Sequence, residues 1–330
     1  AIASYKQALK INPDYANAYN NMGNALKDKG DLEAAIDSYK NAIKIKQDYV
    51  QAHFNLGMLL LENDHYEQAA EHFKFNHENC KRYLLRCLYL QDKKSLFYDQ
   101  LDYLIKQDEI HPMIGSLGCR AELKYGIERP NLFCKDPLNY VLQTDLHKFY
   151  DFEEIFVSNA RTILQERRVP NIRQPLLSNG YQTHGNLFSL ERFLTEEIQK
   201  TIRLEIDKYL VCFKDSNQGL ITGWPNDYSL YGWLVSMKSG GQLRPHMHEQ
   251  GWISGSIYIN VPSKSQTESG NLVVCIEEER LSGKNKNQEK SIDVLTGSLC
   301  LFPASLLHYT IPFESEEERI VLAFDVVPKW

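Results

Sequence analysis

Residues 244–260 read RPHMHEQGWISGSIYIN, and this stretch decides the fold of the second half of the chain. His246 and His248 stand two positions apart, so an extended backbone points both imidazoles to the same face. One strand cannot surround an ion, so a metal site on this scaffold needs a further ligand from another strand. The stretch therefore predicts a metal site built on a β-rich domain.

Two residues nearer the C-terminus are candidates for the rest of this site. His308 follows the apolar run that starts at Gly297, and Arg319 opens the apolar segment RIVLAFDVV. An arginine at the start of a buried strand is costly unless it meets an anion. Its planar guanidinium fits a carboxylate through two parallel hydrogen bonds. His308 is thus a candidate third ligand, and Arg319 a candidate anchor for an anionic ligand.

The segments around these residues are typical of strands. After a helical stretch at residues 191–210, short runs rich in β-branched and aromatic residues alternate with turns. This spacing predicts an all-β sandwich or barrel. The charged tract 277–290 is predicted to be a solvated hairpin loop. The predicted strands are residues 230–237, 255–261, 271–276, 298–303, 307–312 and 319–327.

The order of these motifs resembles the Fe(II)/2-oxoglutarate-dependent oxygenases, whose fold is a double-stranded β-helix, or jelly roll. Within that superfamily the sequence most resembles the prolyl-hydroxylase-like group, in which H-x-H is followed by S-G-x-x-Y, here Ser254, Gly255 and Tyr258. It is also similar to aspartate/asparagine β-hydroxylase, which carries helical repeats before its oxygenase domain. The resemblance spans residues 136–330 and implies hydroxylation of a C–H bond.

The same resemblance implies roles for individual residues. His246 and His308 would bind Fe(II), while Arg319 and Tyr258 would hold 2-oxoglutarate, with O2 as the oxidant. Most of the superfamily has Asp or Glu at position 248, which gives a face of two histidines and one carboxylate. Here His248 could complete a three-histidine face, or it could stay outside the metal's ligands as a hydrogen-bonding group. In a third alternative Glu249 reaches the metal, which requires a local bend.

Other side chains are expected to line the same pocket. His184 follows a glycine-containing turn, and Trp233, Trp252 and Phe302 are candidates for an apolar wall. Of these, His184 and Trp252 are our candidates for substrate contact.

The first part of the chain repeats itself every 34 residues, since AIASYKQALKI from Ala1 matches AIDSYKNAIKI from Ala35. The period and its small and aromatic positions resemble the tetratricopeptide repeat, an α-solenoid unit. The third unit departs from the pattern at Asn76 and Lys81, as a terminal or junction repeat does. The chain starts within a repeat. Asn21 and Asn55 occupy equivalent positions, which in O-linked N-acetylglucosamine transferases form a ladder that grips peptide backbone. Here they are either such a peptide site or solvated residues.

These observations give an α+β multidomain chain. We expect tetratricopeptide repeats over residues 1–80, a helical connector over 81–135 and the oxygenase domain, with supporting helices, over 136–330. The expected partner is a peptide or protein substrate held by the repeats. The competing hypotheses are a non-catalytic repeat adaptor with a degenerate β domain, and a three-histidine metal enzyme of another class, such as a zinc hydrolase or a cupin-type dioxygenase.

Composition excludes other classes of function. The net charge of −6 argues against a nucleic-acid binder, and no apolar run approaches the ~20 residues that span a bilayer. The 7 cysteines are scattered without a C-x-x-C motif, which is typical of reduced thiols in a cytoplasmic protein.

Overall fold

The computed structural model describes residues 1–74, 78–264, 266–277 and 288–329. His77 and most of the predicted charged loop, residues 278–287, lie outside the described residues. Contacts divide the chain into two compact units, Ala1–Glu109 and Ile110–Trp330. The domain boundaries predicted near residues 80 and 135 stay predictions. Within the described ranges, no helix has both the length and the apolar character needed to cross a bilayer.

Antiparallel helices build the first unit. The repeat sequence gives two helix pairs, α2 with α3 and α4 with α5, and a third pair, α6 with α7, follows α5. Their bounds are α1 Ile2–Ile11, α2 Ala16–Lys29, α3 Leu32–Ile45, α4 Val50–Glu62, α5 Tyr66–Phe73, α6 Glu78–Leu90 and α7 Lys94–Lys106.

Each repeat is closed by an aromatic ring that lies against a glycine. Tyr39 packs on Gly23, where an added Cβ would lie only 2.5 Å from the ring. Phe73 packs on Gly57 in the same way, with a distance of 2.8 Å. The glycine and the aromatic residue have the same spacing in both repeats for a steric reason: any side chain at the glycine would push the ring out of the core.

In the second unit, the described residues form further helices and ten strands. Helix α8 begins at Pro112 after His111, whose Nδ1 accepts a hydrogen bond from the Met113 amide at 3.1 Å. The longest helix, α11, buries Ile198, Ile202 and Ile206 against the sheet. The bounds are α8 Pro112–Tyr125, α9 Asn159–Gln165, α10 Leu187–Leu190, α11 Arg192–Cys212 and α12 Gly219–Thr222.

Two antiparallel sheets form the β part of this unit. The larger sheet has the order β1-β8-β5-β10-β4-β3-β2, and the smaller has the order β7-β6-β9. Helical repeats followed by a two-sheet domain with supporting helices confirm the predicted fold class. The strands are β1 Leu142–Asp145, β2 Asn171–Ile172, β3 Leu177–Thr183, β4 Tyr228–Leu243, β5 Ile253–Asn260, β6 Leu272–Cys275, β7 Glu289–Ile292, β8 Ser298–Pro303, β9 Leu307–Thr310 and β10 Arg319–Pro328.

Alternation along β10 separates the core from a pocket. Leu322 and Phe324 join the core between the larger sheet and the helices. The side chains of Arg319, Val321 and Asp325 alternate with these, so they point to the other face of the sheet and line a cavity there. The side of each strand that faces the helices therefore supplies stability, and the other side supplies the candidate site.

The seven cysteines agree with the expectation of reduced thiols. The described part of the chain contains no disulfide, and every cysteine except Cys212 is buried. Burial raises the pKa of the Cys87 and Cys119 thiols to about 12, which keeps them protonated and unreactive.

We predict that Gly57→Ala destabilises the first unit by about 1–3 kcal/mol, because the new methyl group overlaps the Phe73 ring. Gly118→Ala, in the middle of α8, is the control: its Cβ would meet nothing nearer than Asn131 Nδ2 at 3.7 Å. This variant should gain about 0.5–1 kcal/mol from the higher helix propensity of alanine. Chemical denaturation measures both, and a Gly57→Ala protein as stable as the parent would contradict the packing argument.

Candidate metal centre

Backbone pairing brings two of the three predicted histidines together. His246 lies three residues after β4, and His308 lies within β9. The amide of His246 donates to the carbonyl of His308 at 3.2 Å, and the amide of His308 donates to the carbonyl of His246 at 2.8 Å. This isolated antiparallel bridge holds the segment after β4 against β9, a strand of the smaller sheet.

The third histidine joins them through its side chain. One ligand-type nitrogen from each of His246, His248 and His308 lies within 4.8 Å of the others. The ring of Trp233 packs edge-on against His248 at 5.2 Å between centroids, and Phe302 packs against His308 at 5.1 Å. Aromatic neighbours thus pack against two of the three imidazoles, and His246 packs against the other two rings. Glu249 lines the pocket but is not part of this cluster.

Hydrogen bonds fix the tautomers of two of these rings. His246 Nδ1 lies 2.9 Å from the carbonyl of Arg244, and His248 Nδ1 lies 2.8 Å from Asp325 Oδ1. Because both partners only accept, each Nδ1 must carry the hydrogen, and each neutral ring keeps a lone pair on Nε2. The two Nε2 atoms lie 3.2 Å apart. Two lone pairs at this distance repel each other unless a cation or a proton lies between them.

A metal ion fits this arrangement. Two imidazole nitrogens at about 2.1 Å from an ion, with an angle of about 90–110° between them, lie about 3.0–3.4 Å apart, which brackets the observed separation. A proton is a poorer occupant of His246. Burial, followed by the neighbouring His248, lowers the pKa of this imidazole to about 4.

His308 shows the same preference for a neutral ring. It is buried, and burial followed by the two other histidines holds its pKa well below the usual range. Its Nδ1 is buried near the carbonyl of Leu306 without a hydrogen bond of normal geometry. Three imidazoles, each bound through a neutral nitrogen, are a donor set that suits Fe(II), Zn(II) and other borderline divalent ions.

The cluster opens into a cavity of about 710 Å³ between the two sheets. Trp233, Val235 and Met237 from β4 and Phe302 from β8 line it on the larger sheet, and Leu272 from β6 lines it on the smaller sheet. This volume exceeds what a five-carbon diacid needs and lies within the range of small-molecule sites. His184, Tyr231 and Gln250 also line the cavity and are exposed, so they mark its mouth.

Arg319 lines the same cavity at its buried end. Only 1% of its surface is exposed, and burial lowers the pKa of its guanidinium. One of its NH groups donates to the carbonyl of Gly270, but Nε has no hydrogen-bond partner. Among the described residues, no carboxylate lies within ion-pair distance of this guanidinium. A buried cation without a counter-ion is strongly disfavoured, so its position favours an anionic ligand.

Tyr258 lies beside this arginine. Its ring is buried, and the Arg319 guanidinium lies 5.2 Å from the ring centroid. Burial raises the pKa of the phenol above its usual range, while the arginine acts in the opposite direction. Tyr258 therefore stays protonated and can offer its hydroxyl to an acceptor in the cavity.

The structure places Trp252 elsewhere. Its indole is 1% exposed, packs edge-on against Phe133 at 5.0 Å and donates to the carbonyl of Leu220 at 2.9 Å. Trp252 belongs to the core on the helix side of the larger sheet. The structure thus does not bring Trp252, a predicted substrate contact, to the cavity, whereas Trp233 lines the cavity from β4.

Asn21 and Asn55 lie in the first unit and do not bond to each other. Asn55 Nδ2 donates to Asn20 Oδ1 at 2.9 Å and to Asn24 Oδ1 at 3.1 Å, while its own Oδ1 accepts from Gln51. Asn21 is exposed and accepts one hydrogen bond from Asn20 at 3.3 Å. Asn55 thus links α2 to α4, whereas Asn21 keeps most of its amide free for other partners.

Sequence reasoning missed Asp325, which is 7% exposed and accepts hydrogen bonds from both His248 and Ser254. A signal was present. Asp325 is the one charged residue after Arg319 in the segment RIVLAFDVV, and its even spacing from Arg319 places both on the same face.

Comparisons with known proteins agree with the motifs. Residues 231–325 match the model of a family described as "Putative 2OG-Fe(II) oxygenase", and residues 1–30 and 23–64 match a TPR repeat. These matches confirm the resemblance to both families. No curated protein matches the chain.

Two solved structures are similar at low identity. One is a Pseudomonas putida prolyl-4-hydroxylase, with 16% identity and a TM-score of 0.41, over 58% of this chain and 93% of that one. The other is YrrB, described as a TPR protein with an unusual peptide-binding site, with 17% identity and a TM-score of 0.33, over 38% of this chain and 68% of that one.

We predict that His246→Ala and His308→Ala each lower Co(II) affinity by more than about 100-fold, beyond the 10–100-fold typical of residues that only support a ligand. His248→Ala should cost less, because two imidazoles remain. Anaerobic titration of the Co(II) absorption spectrum measures the affinities. His65→Ala, which removes an exposed histidine before α5, should bind as the parent does. A His308→Ala protein with unchanged affinity would place the ion elsewhere.

Proposed function

We propose that this chain is a 2-oxoglutarate- and O2-dependent Fe(II) hydroxylase that acts on a side chain of a peptide or protein held by the repeats. One observation supports it above the others: a single cavity has a three-histidine cluster at one end and, at the other, a buried arginine that has no carboxylate partner among the described residues. A small ligand that satisfies both ends must carry a metal-binding group at one end and a carboxylate at the other.

2-Oxoglutarate has this composition. Its 2-oxo acid end suits a divalent ion with open positions, and its distal carboxylate suits the fork of the Arg319 guanidinium. A dianion would also compensate the positive charge of the buried Arg319 guanidinium. Tyr258 supplies a further hydroxyl next to that carboxylate.

When bound, Fe(II) supplies the oxidative chemistry and the three histidines would hold it. The chain itself contributes orientation and exclusion of water. Arg319 and Tyr258 fix the far end of the cosubstrate, so its reactive end points to the ion without a search over orientations. Trp233, Val235 and Met237 form an apolar wall that keeps the path between the two ends dry. The exposed side chains at the mouth are then the first to meet the substrate.

The arginine distinguishes this proposal from its competitors. A zinc hydrolase or a cupin-type dioxygenase could use the three histidines, but neither needs a buried cation at the opposite end of the pocket. A degenerate binding module would have no reason to keep three neutral imidazoles with their lone pairs converging. Both competitors remain open to the test below, because each predicts that the arginine is dispensable for ligand binding.

The repeats would bring the substrate. Asn21 presents a largely free carboxamide on α2, and a carboxamide can pair with peptide backbone irrespective of sequence. Asn55 contributes to the same surface mainly by fixing the amides of Asn20 and Asn24.

We predict that Arg319→Ala abolishes 2-oxoglutarate binding while Co(II) or Fe(II) affinity stays within a few-fold of the parent. Two charge-assisted hydrogen bonds at about 1.5–3 kcal/mol each correspond to a loss of at least about 100-fold. Anaerobic addition of 2-oxoglutarate to the Fe(II) protein should produce a visible charge-transfer band in the parent but not in the variant. Arg244→Ala is the matched control, because Arg244 is exposed and donates to the carbonyl of Pro175. Equal cosubstrate affinity in all three proteins would reject the proposal.

We predict that Asn21→Ala weakens retention of peptides on an unbiased peptide array by a similar factor for all sequences, because it removes a contact to backbone. Thermal stability should be unchanged, since alanine is the better helix former at an exposed position. Gln107→Ala removes an exposed carboxamide at the end of α7 and serves as the control. A loss confined to a few peptide sequences would indicate side-chain recognition instead.

A further inference from the structure

Asp325 is a buried carboxylate that touches the metal-site candidates without joining them. Its side chain is 9% exposed, and its Oδ1 accepts hydrogen bonds from His248 Nδ1 and Ser254 Oγ, both at 2.8 Å. The three histidines form the cluster of possible ligands, and Asp325 is not part of it. A carboxylate with this burial and these partners is fixed in one orientation.

We propose that Asp325 is the positioning residue of this site: its carboxylate acts on the metal ion through the imidazole of His248 rather than by direct ligation. This inference rests on the proposed metal site. In the usual two-histidine-one-carboxylate face of non-heme Fe(II) enzymes, the carboxylate binds the ion itself. Here the imidazole of His248 would lie between the ion and the carboxylate of Asp325. The negative charge of Asp325 would therefore act on the ion through that ring.

The hydrogen bond controls which nitrogen of His248 is available. While Asp325 accepts from Nδ1, Nε2 keeps its lone pair and faces the Nε2 of His246 at 3.2 Å. Without an acceptor at Asp325, His248 could adopt the other tautomer and donate a hydrogen bond from Nε2 to His246 Nε2. That bond would join the two imidazoles and occupy both lone pairs that an ion needs.

The neighbouring sequence is arranged around this carboxylate. Ser254 is 1% exposed. Its hydroxyl donates to Asp325 Oδ1 and lies 3.3 Å from His248 Nδ1, so it holds the carboxylate next to the imidazole ring. Gly251 lies on the other side, where an added Cβ would be 3.0 Å from Asp325 Oδ1. The amide of Gly251 also donates to the carbonyl of His248 at 3.2 Å, which closes the turn after the histidine. The turn, the serine and the strand thus position the same pair of atoms.

A double-mutant cycle tests the inference on the full chain, with Co(II) affinity measured anaerobically and without cosubstrate. Asp325→Asn keeps the shape of the side chain but removes its charge, and should lower Co(II) affinity by about 10–100-fold. In a His248→Asp background, which restores a direct carboxylate ligand, the same Asp325→Asn change should cost less than about 3-fold. His248→Gln provides a second background in case His248→Asp fails to fold. Asp227→Asn removes an exposed carboxylate paired with Lys329 and controls for net charge.

The outcomes separate this inference from the proposed function. If Asp325→Asn costs the same factor in both backgrounds, Asp325 acts through charge or folding alone and the inference is overturned. An unchanged affinity in Asp325→Asn overturns it as well, while the proposed metal site stands. A parent protein that binds no Co(II), or binds it independently of His246 and His308, overturns the proposed function and the inference with it.

Discussion

The register of β10 is the constraint on which the candidate site depends. This strand is paired along its whole length with β4, from Arg319 opposite Met237 to Pro328 opposite Tyr228, and on its other edge with β5. A slip of one residue would turn Arg319 and Asp325 into the apolar core and Leu322 and Phe324 into the cavity. Both errors are costly, because they would bury charge among hydrocarbon and expose two large side chains. The core thus fixes the register, and the register fixes the chemistry of the cavity.

The two charged residues on the cavity-facing side of β10 have different surroundings. Asp325 has two hydrogen-bond donors within 2.8 Å, whereas Arg319 has a carbonyl partner and an orphaned Nε. A protein that needed only a stable barrel could replace both with apolar residues at no loss. Their presence on one face of one strand agrees with the proposed ligands: a cation next to the carboxylate end and an anion at the arginine end. The cavity between them is the space those ligands would share.

Local periodicity carried much of this information in the sequence. The two-residue spacing of His246 and His248 predicted a shared face, and the 34-residue period predicted the helical repeats. Partners across strands were harder to foresee, because pairing depends on register rather than on neighbouring letters. Trp233 shares the cavity-facing side of β4 with Val235 and Met237, whereas Trp252 precedes β5 and packs in the core, although it stands two positions before the cavity-lining Ser254. The same holds for Asp325, which approaches His248 from a strand 77 residues further along the chain. In the repeats, Asn55 could be aligned with Asn21 by period, yet its bonds to Asn20 and Asn24 depend on how adjacent helices pack.

Moving the carboxylate away from the ion has an electrostatic consequence for the cavity. Three neutral imidazoles leave a divalent ion with its full charge, whereas a direct carboxylate would cancel part of it. Asp325 contributes its charge from behind His248, where two hydrogen bonds already occupy its Oδ1 and hold the carboxylate away from the cluster. The ion and Arg319 then present positive charge at both ends of a largely apolar cavity, and opposite charge is attracted strongly across such a medium. In the proposed complex this arrangement would select for a small dianion long enough to reach both ends, with the apolar wall of β4 beside the middle of that ligand.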